Sequence, residues 1–266
     1  MSAASYLNQI ASVMDRIGKD QLDSIRQAGG WMADSIAQGR LVYIFGSGHS
    51  VIPALDVFPR YGSFVGLQPI LDPRLMWFNI LGPGGVRELL WLERQEGYAR
   101  VILQSYILDP RDTLIVFSHG GLNAAPLEMA QEAKRRGLRV IGVTSLANRR
   151  DSRPIHSSGL SLADVADVVI DNCVLPEDAL VTIPGHREKV AAGSTVAGVA
   201  IMMALVAEAG ARLAERNVPL MIFVSPNTPG FPPDHNGTVF ERYRQHTLDM
   251  QQAPAVRDSR AGKAGQ

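Results

Sequence analysis

The chain has almost no cysteine: Cys173 stands alone among 266 residues. That excludes an internal disulfide and a Cys-rich zinc site, and points to a reducing, cytoplasmic setting. Neither sign of charge is in excess, with Lys plus Arg and Asp plus Glu at 26 each. No bulk field draws nucleic acid, no basic stripe is interleaved with aromatics, and any anion must be bound by local groups. Long hydrophobic runs are also missing; the longest, residues 195–207, is shorter than a bilayer requires. The opening Met1-Ser2-Ala3-Ala4-Ser5-Tyr6 has no basic region feeding an apolar one, so a protein that is neither exported nor membrane-bound is expected. His-x-x-x-His, a Cys pair, a Walker A loop and a Gly-x-Ser-x-Gly elbow are absent as well. Hence no metal and no cofactor is expected, and neither a P-loop nucleotide site nor a triad hydrolase.

What is present has a clear rhythm. Within residues 6–37, Ile10, Val13, Met14 and Ile17, then Leu22 and Ile25, fall at helical spacing, with a break expected near Gly29-Gly30 and a stop at Gly39. Beyond them, short apolar runs end in Gly, Ser or Asn and feed helical stretches, the pattern of β-α units in a parallel sheet. Strands are predicted at residues 41–45, 113–117, 139–144 and 168–171, with further ones at 64–71 and 220–224. Helices are predicted at 124–136, closed by Gly137, and at 194–216 with Ser194 as N-cap. Residues 148–160, rich in Arg and Ser, and 225–237, rich in Pro, Asn and Gly, read as long loops. The expected division is an N-terminal helical segment at 1–39, the main domain at 40–246 and a disordered tail at 247–266, where large apolar side chains fade out.

Two motifs carry chemistry. After the first strand comes Gly46-Ser47-Gly48-His49-Ser50, where glycines let the backbone turn sharply and approach a ligand while hydroxyls and N–H groups offer donors to a phosphate. A dinucleotide fingerprint would want a third Gly where Val51 stands, although Asp72 ends a candidate second strand at a tolerable distance, so that alternative stays open. Mere packing of strand against helix is the other. The second motif, Ser118-His119-Gly120-Gly121-Leu122-Asn123, repeats the logic after a later strand, and Asn123 is suited either to cap the following helix or to touch a ligand. Two such turns on parallel strands lie together at the carboxyl edge of a sheet, where open α/β sheets bind ligands.

These motifs resemble the sugar isomerase (SIS) domain, in which a Gly-x-Gly-x-Ser turn and a Ser-x-Ser-Gly-x-(Ser/Thr) turn grip a phosphosugar. Within it the chain is similar to the UPF0309 group, on Val143-Thr144-Ser145-Leu146, His156-Ser157-Ser158-Gly159, Val169-Ile170-Asp171-Asn172-Cys173, and Glu188-Lys189-Val190 leading into Ser194-Thr195-Val196. The likeness covers most of residues 1–243. It departs at Gly120, where the family has Ser, and at Asn123, where it has Ser or Thr. The resemblance implies a three-layer α/β/α sandwich with a mainly parallel five-stranded sheet, flavodoxin-like. It also implies a phosphorylated sugar as ligand, held by Gly46, Ser47, Gly48, Ser50, Ser118, Gly120, Asn123, Thr144 and Ser145, and pairing as a homodimer or larger assembly.

Interconverting an aldose and a ketose phosphate needs a base beside the carbonyl and a group that moves protons between oxygens. Where the family draws its carboxylate, this sequence offers Glu93, Glu96 and Glu188; the first two also read as an exposed helix face, Glu188 or Glu96 is taken as the base, and His49, inside the first turn, is either the proton carrier or an uncharged hydrogen-bonding spacer. His119, His156 and His186 read as structural or solvent-facing, and Arg149, Arg150 and Arg153 as a solvated loop or a phosphate clamp. The expected activity is sugar-phosphate isomerisation. A phosphosugar lyase or etherase, a non-catalytic phosphosugar sensor and, more distantly, a dinucleotide enzyme are the alternatives.

Overall fold

The computed structural model describes residues 2–76 and 85–252. Five parallel strands form its centre: β1 (Val42–Gly46), β2 (Leu67–Ile70), β3 (Thr113–Phe117), β4 (Arg139–Thr144) and β5 (Val168–Asp171), in the order β2-β1-β3-β4-β5. Every residue of β1 and β3 is buried, because helices cover both sides of the sheet. Alternation then divides the side chains: Val42, Ile44, Ile115 and Phe117 enter one apolar layer, and Tyr43, Phe45, Leu114 and Val116 the other.

The first layer is closed by α1 (Ser2–Asp20), α2 (Leu22–Ala37), α3 (Ile52–Val57) and α9 (Ser194–Glu215). The second is closed by α4 (Gly85–Leu92), α5 (Tyr98–Leu103), α6 (Ala124–Arg135) and α8 (Leu162–Val165). Short α7 (Leu146–Asp151) follows β4, and a two-stranded antiparallel hairpin, β6 (Ala179–Thr182) and β7 (Lys189–Ala192), precedes α9. Helix α9 is long and apolar enough by composition to cross a membrane. Here it is a core helix that buries Ala197, Ile201, Met202, Leu205, Ala209 and Leu213, each large side chain contributing about 1.5–3 kcal/mol.

Several sequence expectations change. The N-terminal helices part at Gln21, not at Gly29-Gly30, which α2 runs straight through. Gly29 is there because α9 comes close: a Cβ on it would meet Glu208 Cγ at 2.5 Å. Residues 220–224 form no strand and contribute one isolated bridge, Ile222 to Phe64. Helix α10 (His235–Gln252) runs through residues 247–252, which were expected to belong to the tail; the rest of that tail lies outside the described residues. It docks through buried Val239 and Met250 and through the Tyr243 hydroxyl on Gln68.

Candidate functional site

Strands β1 and β3 are neighbours, but the chain leaves β1 toward the α9 side and β3 toward the α6 side. A crevice opens at their carboxyl ends, at the point where the sheet reverses direction of winding. Both turns sit on its rim.

The first turn is tight. A Cβ on Gly46 would stand 1.9 Å from the Ser50 carbonyl oxygen, and Gly48 takes φ +56, so neither position accepts a side chain without strain. In the second turn Gly121 has φ +63, with Thr144 Oγ1 only 2.4 Å from where its Cβ would be, and its N–H donates to Ser118 Oγ at 3.1 Å. Asn123 occupies the N-cap position of α6 without a side-chain capping bond.

The two turns meet on one carboxylate. Glu93, immediately after α4, accepts from Ser47 Oγ at Oε2 (2.9 Å) and from Asn123 Nδ2 at Oε1 (2.7 Å), and its backbone carbonyl accepts from Ala125 N in the first turn of α6 at 2.9 Å. It is 8% exposed, not the solvated helix face expected from sequence. Burial raises its pKa above the ordinary carboxylate value, opposed by the Ser47 hydrogen bond and the Arg94 charge.

Beside this bridge, toward α9, lies a small cleft. His49, Ser50 and Pro53 line it from the first turn and α3, Phe117, Ser118 and His119 from β3 and its turn, and Val143, Asn172, Ser194, Thr195 and Gly198 from the far side. Among the described residues no Lys or Arg lines it, so hydroxyls, N–H groups and imidazoles are its donors there. His119 is held in place: Asn172 accepts the Val174 N–H at Oδ1 (3.0 Å), which turns its NH2 group onto His119 Nδ1 at 3.1 Å. On the other side of the ring His119 Nε2 stands 3.3 Å from Asn148 Nδ2.

The structure thus sorts the sequence candidates. His49, Ser50 and Ser118 share the cleft. Ser47 and Asn123 are committed to Glu93. Gly120 has open space on its Cβ side and is not a point of forced close approach. Thr144 and Ser145 are buried and bond His119 O and Val174 O, so their hydroxyls serve the framework. Glu96 is exposed and clasped by residues 148–160, accepting from Ser157 N at 2.6 Å and Ser157 Oγ at 2.7 Å, bonds that lower its pKa. His156 Nε2 stands 3.6 Å from Glu96 and 3.5 Å from Glu128. Arg149 pairs with Asp164 and Arg150 with Asp151. Glu188 is exposed on the β6–β7 hairpin, where it lines a separate groove with Glu177, Arg187 and Lys189.

Asn172, Ser194 and Thr195 join the cleft without having been singled out as ligand groups. Ser194 does not cap α9 as predicted: Gly193 is the N-cap, and Asp178 takes the N–H groups of Gly193 (3.1 Å) and Ser194 (2.7 Å) together with the Ser194 hydroxyl (2.9 Å). Nothing local in the sequence announces that Asp178 reaches this helix end.

Comparison with known proteins agrees with this architecture. The SIS domain family matches residues 5–145. The UPF0309 protein BH0227 of Halalkalibacterium halodurans is 36% identical over 241 residues, covering 91% of this chain and 94% of its own, and UPF0309 protein TTE0306 of Caldanaerobacter subterraneus subsp. tengcongensis is 34% identical over 90% and 96%. A phosphoheptose isomerase structure from Neisseria gonorrhoeae superposes with TM-score 0.51 at 15% identity, over 79% of this chain and 97% of that one, a likeness of fold. With the five-stranded parallel sheet and the two turns at its carboxyl edge, these matches place the chain in the SIS domain family and, within it, in the UPF0309 group.

Proposed function

We propose that this chain binds a phosphorylated monosaccharide in the cleft between the two turns and isomerises it between aldose and ketose forms. The observation that carries the reading is the convergence of both turns on Glu93, a buried carboxyl of raised pKa beside a small cleft lined by hydroxyls and histidines. A carboxyl whose pKa is raised is a stronger proton acceptor than an exposed one, and His49 on the cleft wall is the natural second group. Ser50, Ser118 and Thr195 supply hydroxyl donors for the phosphate or the sugar. The SIS membership supports a phosphosugar as ligand.

One observation favours a second reading, a phosphosugar sensor without chemistry: both oxygens of Glu93 are already satisfied, so it serves as a staple between the turns. Incubation with a panel of sugar phosphates in deuterated water separates the two. Deuterium on the carbon beside the carbonyl, lost in Glu93→Gln, is the expected result. Tight binding of a sugar phosphate with no exchange would leave the sensor.

A further inference from the structure

Ser47 belongs to the first turn and Asn123 to the second, yet both give their side-chain donors to Glu93. An anion gripped by those turns therefore comes to rest beside a buried carboxyl that already holds the donors it needs. Three charges cannot share this place cheaply: a phosphate dianion and a carboxylate within reach of the same donors each raise the other's affinity for a proton. We propose that the site takes up one proton at Glu93 when it binds its anionic ligand. This rests on the phosphosugar reading and adds to it the state in which the bound site works.

The exchange balances. The proton comes from solvent and goes to a Glu93 oxygen. The neutral acid no longer holds Ser47 Oγ–H and Asn123 Nδ2 by full charge, so both can turn to the ligand, and the new O–H becomes a donor in its own right. Bound Glu93 is then the acid of the site, the form that protonates a sugar ring or carbonyl oxygen, and His49 is left to accept the carbon-bound proton.

Burial raises the proton affinity of Glu93 already in the free protein, and an anion beside it raises that affinity further. The charged groups on the packed elements do little to prevent it. Arg94 follows on its own segment and favours the ionised form. Glu96 is taken by Ser157, and Glu128 on α6 accepts from Gly97 N beside His156. The turns themselves bring His49 and His119. Of these, His49 is the rival acceptor, since an imidazole on the cleft wall can also gain a proton as an anion enters.

Calorimetric titration with inorganic sulfate, a dianion that does not itself titrate near neutral pH, tests the proposal in buffers of different ionisation heat, alongside hexose 6-phosphates. In the native protein, uptake should approach one proton per sulfate, and affinity should weaken by up to roughly tenfold per pH unit as pH rises above the Glu93 range. Glu93→Gln should bind with no uptake and a flat pH profile, while His49→Gln keeps the uptake. Uptake that persists in Glu93→Gln, or vanishes in His49→Gln, overturns the proposal. Should Glu93→Gln fail to fold, the native protein alone decides: the infrared band of a protonated carboxyl should appear as sulfate is added, and its absence together with a flat affinity sinks the idea. Binding without proton uptake defeats this inference only, whereas failure of sulfate and every sugar phosphate to bind defeats the binding reading and this one with it.

Discussion

Gly29 of α2 lies against Glu208 of α9 so closely that a Cβ there would stand 2.5 Å from Glu208 Cγ and 2.8 Å from its Cβ. The nearby atoms belong to the root of the side chain, so relief requires the helices to part. Gly29→Ala should therefore lower stability by about 1–3 kcal/mol through overpacking, despite the better helix propensity of Ala. Urea unfolding checks it; a variant as stable as the parent would show that α2 and α9 can slide.

Gly46→Ala should be worse. Its Cβ would fall 1.9 Å from the Ser50 carbonyl oxygen and 2.8 Å from Val51 N, both backbone atoms that cannot step aside. A loss on the order of 3–4 kcal/mol is expected, together with loss of sulfate binding, because the turn itself must reshape. Thermal unfolding with and without sulfate reads both.

Asp112→Ala removes the partner of a buried cation. Arg40 Nε and Nη2 donate to the two Asp112 oxygens at 3.0 and 3.1 Å, and the same carboxylate accepts from Leu41 N and Asp109 N. Both side chains are at most 6% exposed, and the next carboxylate, Asp109, is 3.8 Å away. Stranding Arg40 should cost about 3–5 kcal/mol, measured by denaturant midpoint.

The pH dependence of stability should carry the mark of Glu93. Its native pKa is raised from the ordinary 4.5, so as pH climbs the unfolded chain ionises first while the native state keeps its proton. Stability from the neutral native form is present at low pH and is lost as pH rises from 4.5 through the raised native value. Gln at this position never ionises. The melting temperature of Glu93→Gln relative to the parent should therefore improve across that window and level off above it; a difference that moves the other way would show that Glu93 is stabilised as a carboxylate.

Much of this molecule was legible beforehand. The strands 113–117, 139–144 and 168–171 match β3, β4 and β5, and both turns end the strands they were assigned to. Apolar strands buried on both faces leave a strong local pattern, and Gly46 and Gly121 mark backbone conformations that other residues resist. Gly29-Gly30 misled because a glycine that admits a neighbouring helix looks the same as one that ends its own. Glu93 misled for the same kind of reason: the neighbours Leu92, Arg94 and Gln95 are those of a solvated helix end.

By itself, then, the sequence determined the β-α alternation, the parallel sheet and the two turns at its edge, since these follow from local propensity and from glycine's backbone freedom. Only the tertiary structure decided which side chains face one another there. It gave Ser47 and Asn123 to Glu93, Asp178 to the start of α9, and left Glu188 on an outlying hairpin. Contacts between residues tens of positions apart depend on how helices pack across the sheet, and burial, which sets the proton affinity of Glu93, exists only once they have.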